Sequence, residues 1–345
     1  MRKRPSCLRW LRLFAVLLAA VALQGAETYP SEVVYPKDGR NLAPILDMAV
    51  HGQEVFLLHD VALVHSGDGG ATWTRQKTPT EPRSVCSVDA TRIWVVAADG
   101  LYRTVNGGRE WRRILKSEDL LRCGFVSADH GFAIGHHKTA LETVDGGKTW
   151  ANLEAATGVL SDPERTSFTS IEFFGKAGLI SGYHSPKRPE LDAAGRQWPQ
   201  LGVLIQSIDG GESWKPTAAA VFGRLAASRV GGRLAALLMQ YDFEFSWPSE
   251  VYRIELATGE LTSAYRVEQR RVCAVAVMGR ALAIAALRVA KEQANLGPRP
   301  LELQVDGVDV PIDERLTAGN CFLGRDGAVL WLATDQGFVE KIDLR

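Results

Sequence analysis

The octapeptide TVDGGKTW, Thr143 to Trp150, is nearly repeated as SGDGGATW (Ser66 to Trp73), TVNGGREW (Thr104 to Trp111) and SIDGGESW (Ser207 to Trp214). The residues at its third place, Asp68, Asn106, Asp145 and Asp209, are spaced 38, 39 and 64 apart. A period near 40 with one insertion marks stacked supersecondary units. Each copy reads as a hairpin turn between short strands. The oxygen of its Asp or Asn accepts nearby backbone N–H groups, and its two glycines supply positive φ. The closing residue, Trp73, Trp111, Trp150 or Trp214, re-enters the sheet and fills the gap between neighbouring units with a large apolar ring. The octapeptide is therefore read as a structural device. A calcium loop needs roughly 6 to 8 oxygen ligands, whereas each copy offers one carboxylate at its third place and Asn106 offers none.

The pattern S/T-x-D/N-G-G-x-x-W resembles the Asp-box, or BNR repeat, of sialidases, sortilin-type receptors, xyloglucanases and photosystem II assembly-factor propellers. CGFVSADHGFAIGHHKTALETVDGGKTW, Cys123 to Trp150, is similar to the blade pattern of the last group, and that resemblance runs over about residues 43 to 215. It implies a β-propeller and a non-catalytic assembly or chaperone-like role toward an envelope protein. Members of the wider Asp-box family do unrelated things, so the boxes speak for fold more than for function.

With four strands A to D per unit, the boxes fall at C to D turns, and EVFLL, RIWVVA, GFAIG and AGLISG supply the B strands of the first four units. The second half lacks boxes but keeps the rhythm. RLAALLMQ with VYRIELATGEL gives a fifth unit, VCAVAVMGRALAIAAL with LELQVDGVDV a sixth, and NCFLGRDGAVLWLATDQGFVEKIDL a seventh that ends after strand C. SEVVYPK, Ser31 to Lys37, is expected to supply the missing outer strand and close the ring. The expected fold is all-β: a seven-bladed β-propeller of four-stranded antiparallel blades closed by an N-terminal strand. Six and eight blades stay open as alternatives.

The chain opens with Arg2, Lys3, Arg4, Arg9 and Arg12 ahead of an apolar run from Leu13 to Leu23, with small residues near Gly25 and Ala26. This predicts a signal peptide over residues 1–26 and a single propeller domain over 27–345, exported to the periplasm or cell exterior. No Cys follows the run, so lipid attachment there is not expected. The whole sequence balances 40 basic against 40 acidic residues, and residues 1–26 hold five basic and no acidic ones. Residues 27–345 thus carry a small acidic excess, with no bulk attraction for nucleic acid or anionic lipid. No other segment reaches membrane-spanning length, so a soluble mature chain is expected.

Cys86, Cys123, Cys273 and Cys321 all fall on predicted A strands, in two pairs of adjacent blades. Export permits disulfides, but inner strands of neighbouring blades rarely reach disulfide separation. Small buried thiols are the default expectation, with Cys86–Cys123 and Cys273–Cys321 left open as pairs.

If the boxes occupy one face, the B to C turns occupy the other. Those turns collect His59, Asp60, Asp99, His136, His137 and His184, and longer insertions bring Trp198, Tyr241, Asp242, Phe243 and Trp247. Loops with aromatic anchors on a rigid scaffold suit protein recognition. His136 and His137 are adjacent and point apart on an extended segment, so no metal or other cofactor is expected. A sialidase would carry an early Arg-Ile-Pro motif, but Arg113-Ile114 is followed by Leu115 on an outer strand. A carboxylate pair for glycoside hydrolysis leaves no local signature, and Asp60, Asp99, Asp242 and Glu244 are the rim candidates. The expected role is a non-catalytic scaffold binding another extracytoplasmic protein. The alternative is a glycan-acting enzyme or lectin on the same face.

Overall fold

The computed structural model describes residues 29–37, 43–185, 187, 200–222, 224–231, 234–240, 249–267, 270–278, 281–288 and 298–345. Residues 1–28 lie outside this set, as do Trp198, Tyr241, Asp242, Phe243, Glu244 and Trp247. Among the described residues, no helix is long and apolar enough to cross a membrane.

Alternation of apolar and polar residues, cut by glycine-rich turns every few residues, can be satisfied only by short antiparallel strands. The described strands form six four-stranded sheets and one five-stranded sheet. The inner strands are Asp47–His51, Pro82–Ser87, Leu120–Phe125, Thr166–Phe174, Arg224–Gly231, Arg270–Met278 and Cys321–Asp326. Each touches the next in chain order, and the last touches the first. The architecture is therefore a β-propeller.

Its closing blade takes its outermost strand from the other end of the chain, with Ser31–Tyr35 pairing antiparallel to Val339–Asp343. The expectation of seven four-stranded blades is corrected, because six sheets are four-stranded. In the remaining sheet Pro311 interrupts the outer edge. Val308–Val310 covers one half of Arg299–Val305, and Thr317–Ala318 covers its beginning as a fifth strand.

The core lies between sheets. Phe56, Leu58 and Leu63 of the first blade meet Val85, Ile93 and Val95 of the second. Trp94 of the second stacks on Phe125 of the third, their ring centroids 3.8 Å apart. Phe132 and Ile134 of the third meet Phe168 and Ile180 of the fourth. At roughly 1.5 to 3 kcal/mol for each buried Val, Leu, Ile or Phe, these layers hold the ring together.

Cysteine gives a second correction. Cys273 and Cys321 are disulfide-bonded, with a Cα separation of 5.4 Å between neighbouring inner strands. The default expectation of free buried thiols fails there, since these inner strands come within the usual cystine range. Cys86 and Cys123 are thiols.

Each octapeptide occupies the turn between the third and fourth strands of its blade, as between Ala140–Thr143 and Ala151–Asn152. Asp145 Oδ1 accepts from the Thr143 hydroxyl at 2.9 Å and the Thr149 amide at 2.9 Å, and Oδ2 accepts from the Thr149 hydroxyl at 2.6 Å. Gly147 N donates back to Thr143 Oγ1 at 2.8 Å. Gly146 and Gly147 have φ of 74° and 86°, which a side chain would strain. Asp68 and Asp209 repeat the arrangement. Each Trp leans on the preceding blade. Trp111 Nε1 donates to Lys77 O at 2.8 Å, and Trp73 Nε1 donates to Val34 O on the closing strand at 3.0 Å.

Candidate binding face

The turns between second and third strands lie opposite the boxes, beside the starts of the inner strands. In the third blade this placement is enforced by Gly135, where a Cβ would sit 1.8 Å from Asp119 O. That close approach turns the chain through His136, which donates its amide to Asp119 O at 2.8 Å, and into His137 and Lys138, both with positive φ. The Lys138 amide then donates to Thr166 O of the fourth blade at 2.8 Å.

Two of the expected histidines converge here. His136 Nδ1 is 3.0 Å from Ser167 Oγ, and His184 Nδ1 is 3.3 Å from Thr166 Oγ1, so both rings flank the first residues of one inner strand. Burial lowers the pKa of each; for His136 the neighbouring His137 and Arg83 add to the effect. Both imidazoles are therefore neutral at pH 7, and they offer hydrogen bonds rather than charge. His137 is exposed and binds Asp119 Oδ1 at 2.8 Å. Lys138 Nζ donates to Val159 O at 2.7 Å, and Lys187 pairs with Asp162 at 2.8 Å.

The other described candidates stand apart. His59 is only 2% exposed, with Nδ1 against Pro44 O at 2.9 Å, and burial lowers its pKa. It is a packed residue and cannot meet a partner at the surface. Asp60 is exposed. Partial burial would raise the pKa of Asp99, but hydrogen bonds from Tyr102 and Arg113 outweigh it and hold the carboxyl below its usual range. Such an ionised, paired carboxylate is not poised as a general acid. Among the described residues, no group of three or more His, Cys, Asp and Glu is arranged to hold a metal ion.

Residue type alone did not single out the groups that organise this face. Arg83 Nη1 donates to Leu120 O at 2.8 Å, and Arg122 Nη1 returns a bond to Arg83 O at 3.0 Å, clasping the second and third inner strands. Arg122 also lies 3.9 Å from Asp47 of the first blade. The available signal was position, since all three open inner strands. The opposite face holds a cavity of about 400 Å³ beside Gly52, Asp68, Gly327, Trp331, Lys341 and Arg345. Its Lys341 is committed to Gly69 O at 3.0 Å and to the Trp331 ring.

Fold and boxes together define an Asp-box β-propeller. It resembles the photosystem II stability and assembly factors. The family model described as photosynthesis system II assembly factor YCF48 matches residues 115–215. The chloroplastic photosystem II stability/assembly factor HCF136 of Oryza sativa subsp. japonica is 31% identical over 135 residues, covering 37% of this chain and 28% of that protein. The photosystem II assembly lipoprotein Ycf48 of a Synechococcus species is 32% identical over 94 residues, covering 27% and 22%. The chain thus spans less than a third of the length of these two relatives. A solved structure described as YCF48 bound to D1 peptide superposes with a TM-score of 0.59 at 14% identity, covering 92% of this chain and 97% of that one. At that identity the likeness concerns the fold.

Proposed function

We propose that this protein is an exported, non-catalytic propeller that binds another extracytoplasmic protein through the face carrying the turns between second and third strands. In this reading residues 1–26 are a signal peptide and residues 27–345 one domain, with the five-stranded sheet serving as a further blade of the ring. The observation that carries it is the convergence of His136, Ser167, Thr166 and His184 at the junction of the third and fourth blades. Neutral donors and acceptors held by fixed backbone suit recognition of a polypeptide more than bond cleavage. The peptide-bound relative supports a protein ligand.

The test is capture from envelope extract by three folded forms: wild type, the triple variant His136→Ala, His137→Ala, His184→Ala, and the opposite-face variant Lys341→Ala. A second rim variant replaces Tyr241, Phe243 and Trp247, which lie outside the described residues. A protein held by wild type and Lys341→Ala but lost from both rim variants is the expected result. Loss only from Lys341→Ala would move the site to the box face and overturn the assignment.

A further inference from the structure

Cys86 lies on Pro82–Ser87 and Cys123 on Leu120–Phe125, the inner strands of adjacent blades. Both belong to the apolar layer between those blades, packed with Trp94, Leu101, Phe125 and Ala133. Their relative height is fixed close by, because the Arg83 side chain bonds Leu120 O and the Arg122 side chain bonds Arg83 O. Cys86 packs against the buried cluster to which Cys123 belongs. Elsewhere in the ring the same topology is already covalent, since Cys273 and Cys321 join two neighbouring inner strands within the layer between their sheets.

We propose that Cys86 and Cys123 form a second cystine between blades, made by exchange with a disulfide-bearing oxidant such as a small-molecule disulfide. Cys86 is the more accessible of the two and reacts first. Its Sγ loses a proton and attacks one sulfur of the oxidant, and the other sulfur leaves as a thiolate. Cys123 Sγ, also deprotonated, then attacks Cys86 Sγ and expels the second half of the oxidant. One Sγ–Sγ bond is formed and the oxidant's S–S bond is reduced to two thiols, with both cysteine protons passed to them. Burial pushes the Cys86 thiol up, so thiolate is scarce in the folded ring and exchange there is slow. Closure is faster during folding, before the apolar layer has packed. The proposal depends on the export reading only for the oxidising compartment in which the bond would be made.

The test uses the full chain in a Cys7→Ser background, oxidised with glutathione disulfide in two ways: in the native state, and during refolding from denaturant in a glutathione redox buffer. After denaturation and alkylation, peptide mapping is expected to show loss of label at both Cys86 and Cys123. A peptide joined through the two should appear after refolding and be released by reductant. In a Cys123→Ser variant, Cys86 is expected to take up glutathione instead. Full alkylation of both thiols after refolding would overturn the proposal. So would glutathione on Cys86 with Cys123 still free in the chain that has both. Because this readout is chemical, it is independent of whether the rim binds a protein.

Discussion

Asn106 Nδ2 faces Glu110 Oε2 at 3.5 Å, at the place in the box where Asp68 and Asp145 instead accept the hydroxyl protons of Thr72 and Thr149 at 2.6 Å. The one box without an Asp is also the one whose seventh residue is a carboxylate. The two changes compensate, because an Asp opposite Glu110 would set like charges together.

Asn106→Asp alone is therefore expected to destabilise, and Glu110→Thr alone to be nearly neutral. The double variant, which restores the hydroxyl-to-carboxylate bond, is expected to be at least as stable as wild type. Urea unfolding of the cycle should give a favourable coupling of about 1 kcal/mol. Additive effects would show that the two positions are independent.

Hydrogen bonds from the Thr72 and Thr149 side chains and amides hold Asp68 and Asp145 at about 2, below the usual 3.8. A lowered folded-state pKa contributes stability that is complete above the unfolded value and is lost as pH falls toward the folded one. Urea midpoints are thus expected to hold from pH 7 to about pH 4 and to fall between pH 4 and pH 2. Asp145→Asn should be less stable at pH 7, with its deficit shrinking toward pH 2. A deficit constant with pH would assign the loss to packing.

The box tryptophans differ in one bond. Trp73 and Trp111 donate Nε1–H to the preceding blade, whereas Nε1 of Trp150 and Trp214 is buried without a hydrogen-bond partner. Trp→Phe is expected to cost about 1 kcal/mol more at Trp73 and Trp111 than at the other two. Trp150→Ala should cost about 3 kcal/mol, since its ring packs edge-on to Phe125. Equal costs for the four Phe variants in thermal unfolding would remove the hydrogen bond from the account.

Much of this fold was legible because boxes and strands are local signals. The position of each octapeptide, the inner-strand placement of Cys86, Cys123, Cys273 and Cys321 and the pairing of Ser31–Tyr35 with the chain's end follow from periodicity. What periodicity cannot show is distance between blades. Cys273 and Cys321 are 48 residues apart in sequence, and only the packed ring brings their Cα atoms to 5.4 Å. His59 reads like the other rim histidines but is buried, because Pro44 O captures its Nδ1. The split outer edge at Pro311 was likewise hidden: the sixth unit already took in Val308–Val310, but Thr317–Ala318 beyond it is too short to register as a strand.

The Cys273–Cys321 bond closes a loop of sequence separation 48, for which the chain-entropy model gives about 4 kcal/mol. Cys273→Ser with Cys321→Ser is expected to lower stability by up to that amount, with hydrogen exchange rising first in Arg270–Met278 and Cys321–Asp326. Unchanged unfolding would mean that the reduced chain already holds these strands together.

Ring closure rests on Val34. Its side chain is 3% exposed, its carbonyl accepts the Trp73 indole, and its strand caps the closing blade. Val34→Ala is expected to cost about 2 kcal/mol, whereas Val308→Ala, at a site 52% exposed, should stay within about 0.5 kcal/mol. Hydrogen exchange separates closure from simple cavity formation. If the N-terminal strand fastens the ring, Val339–Asp343 and the Trp73 box should lose protection together in Val34→Ala, while the box at Trp150 keeps its own. Uniform loss of protection around the ring would instead mean that the closing strand opens only with global unfolding.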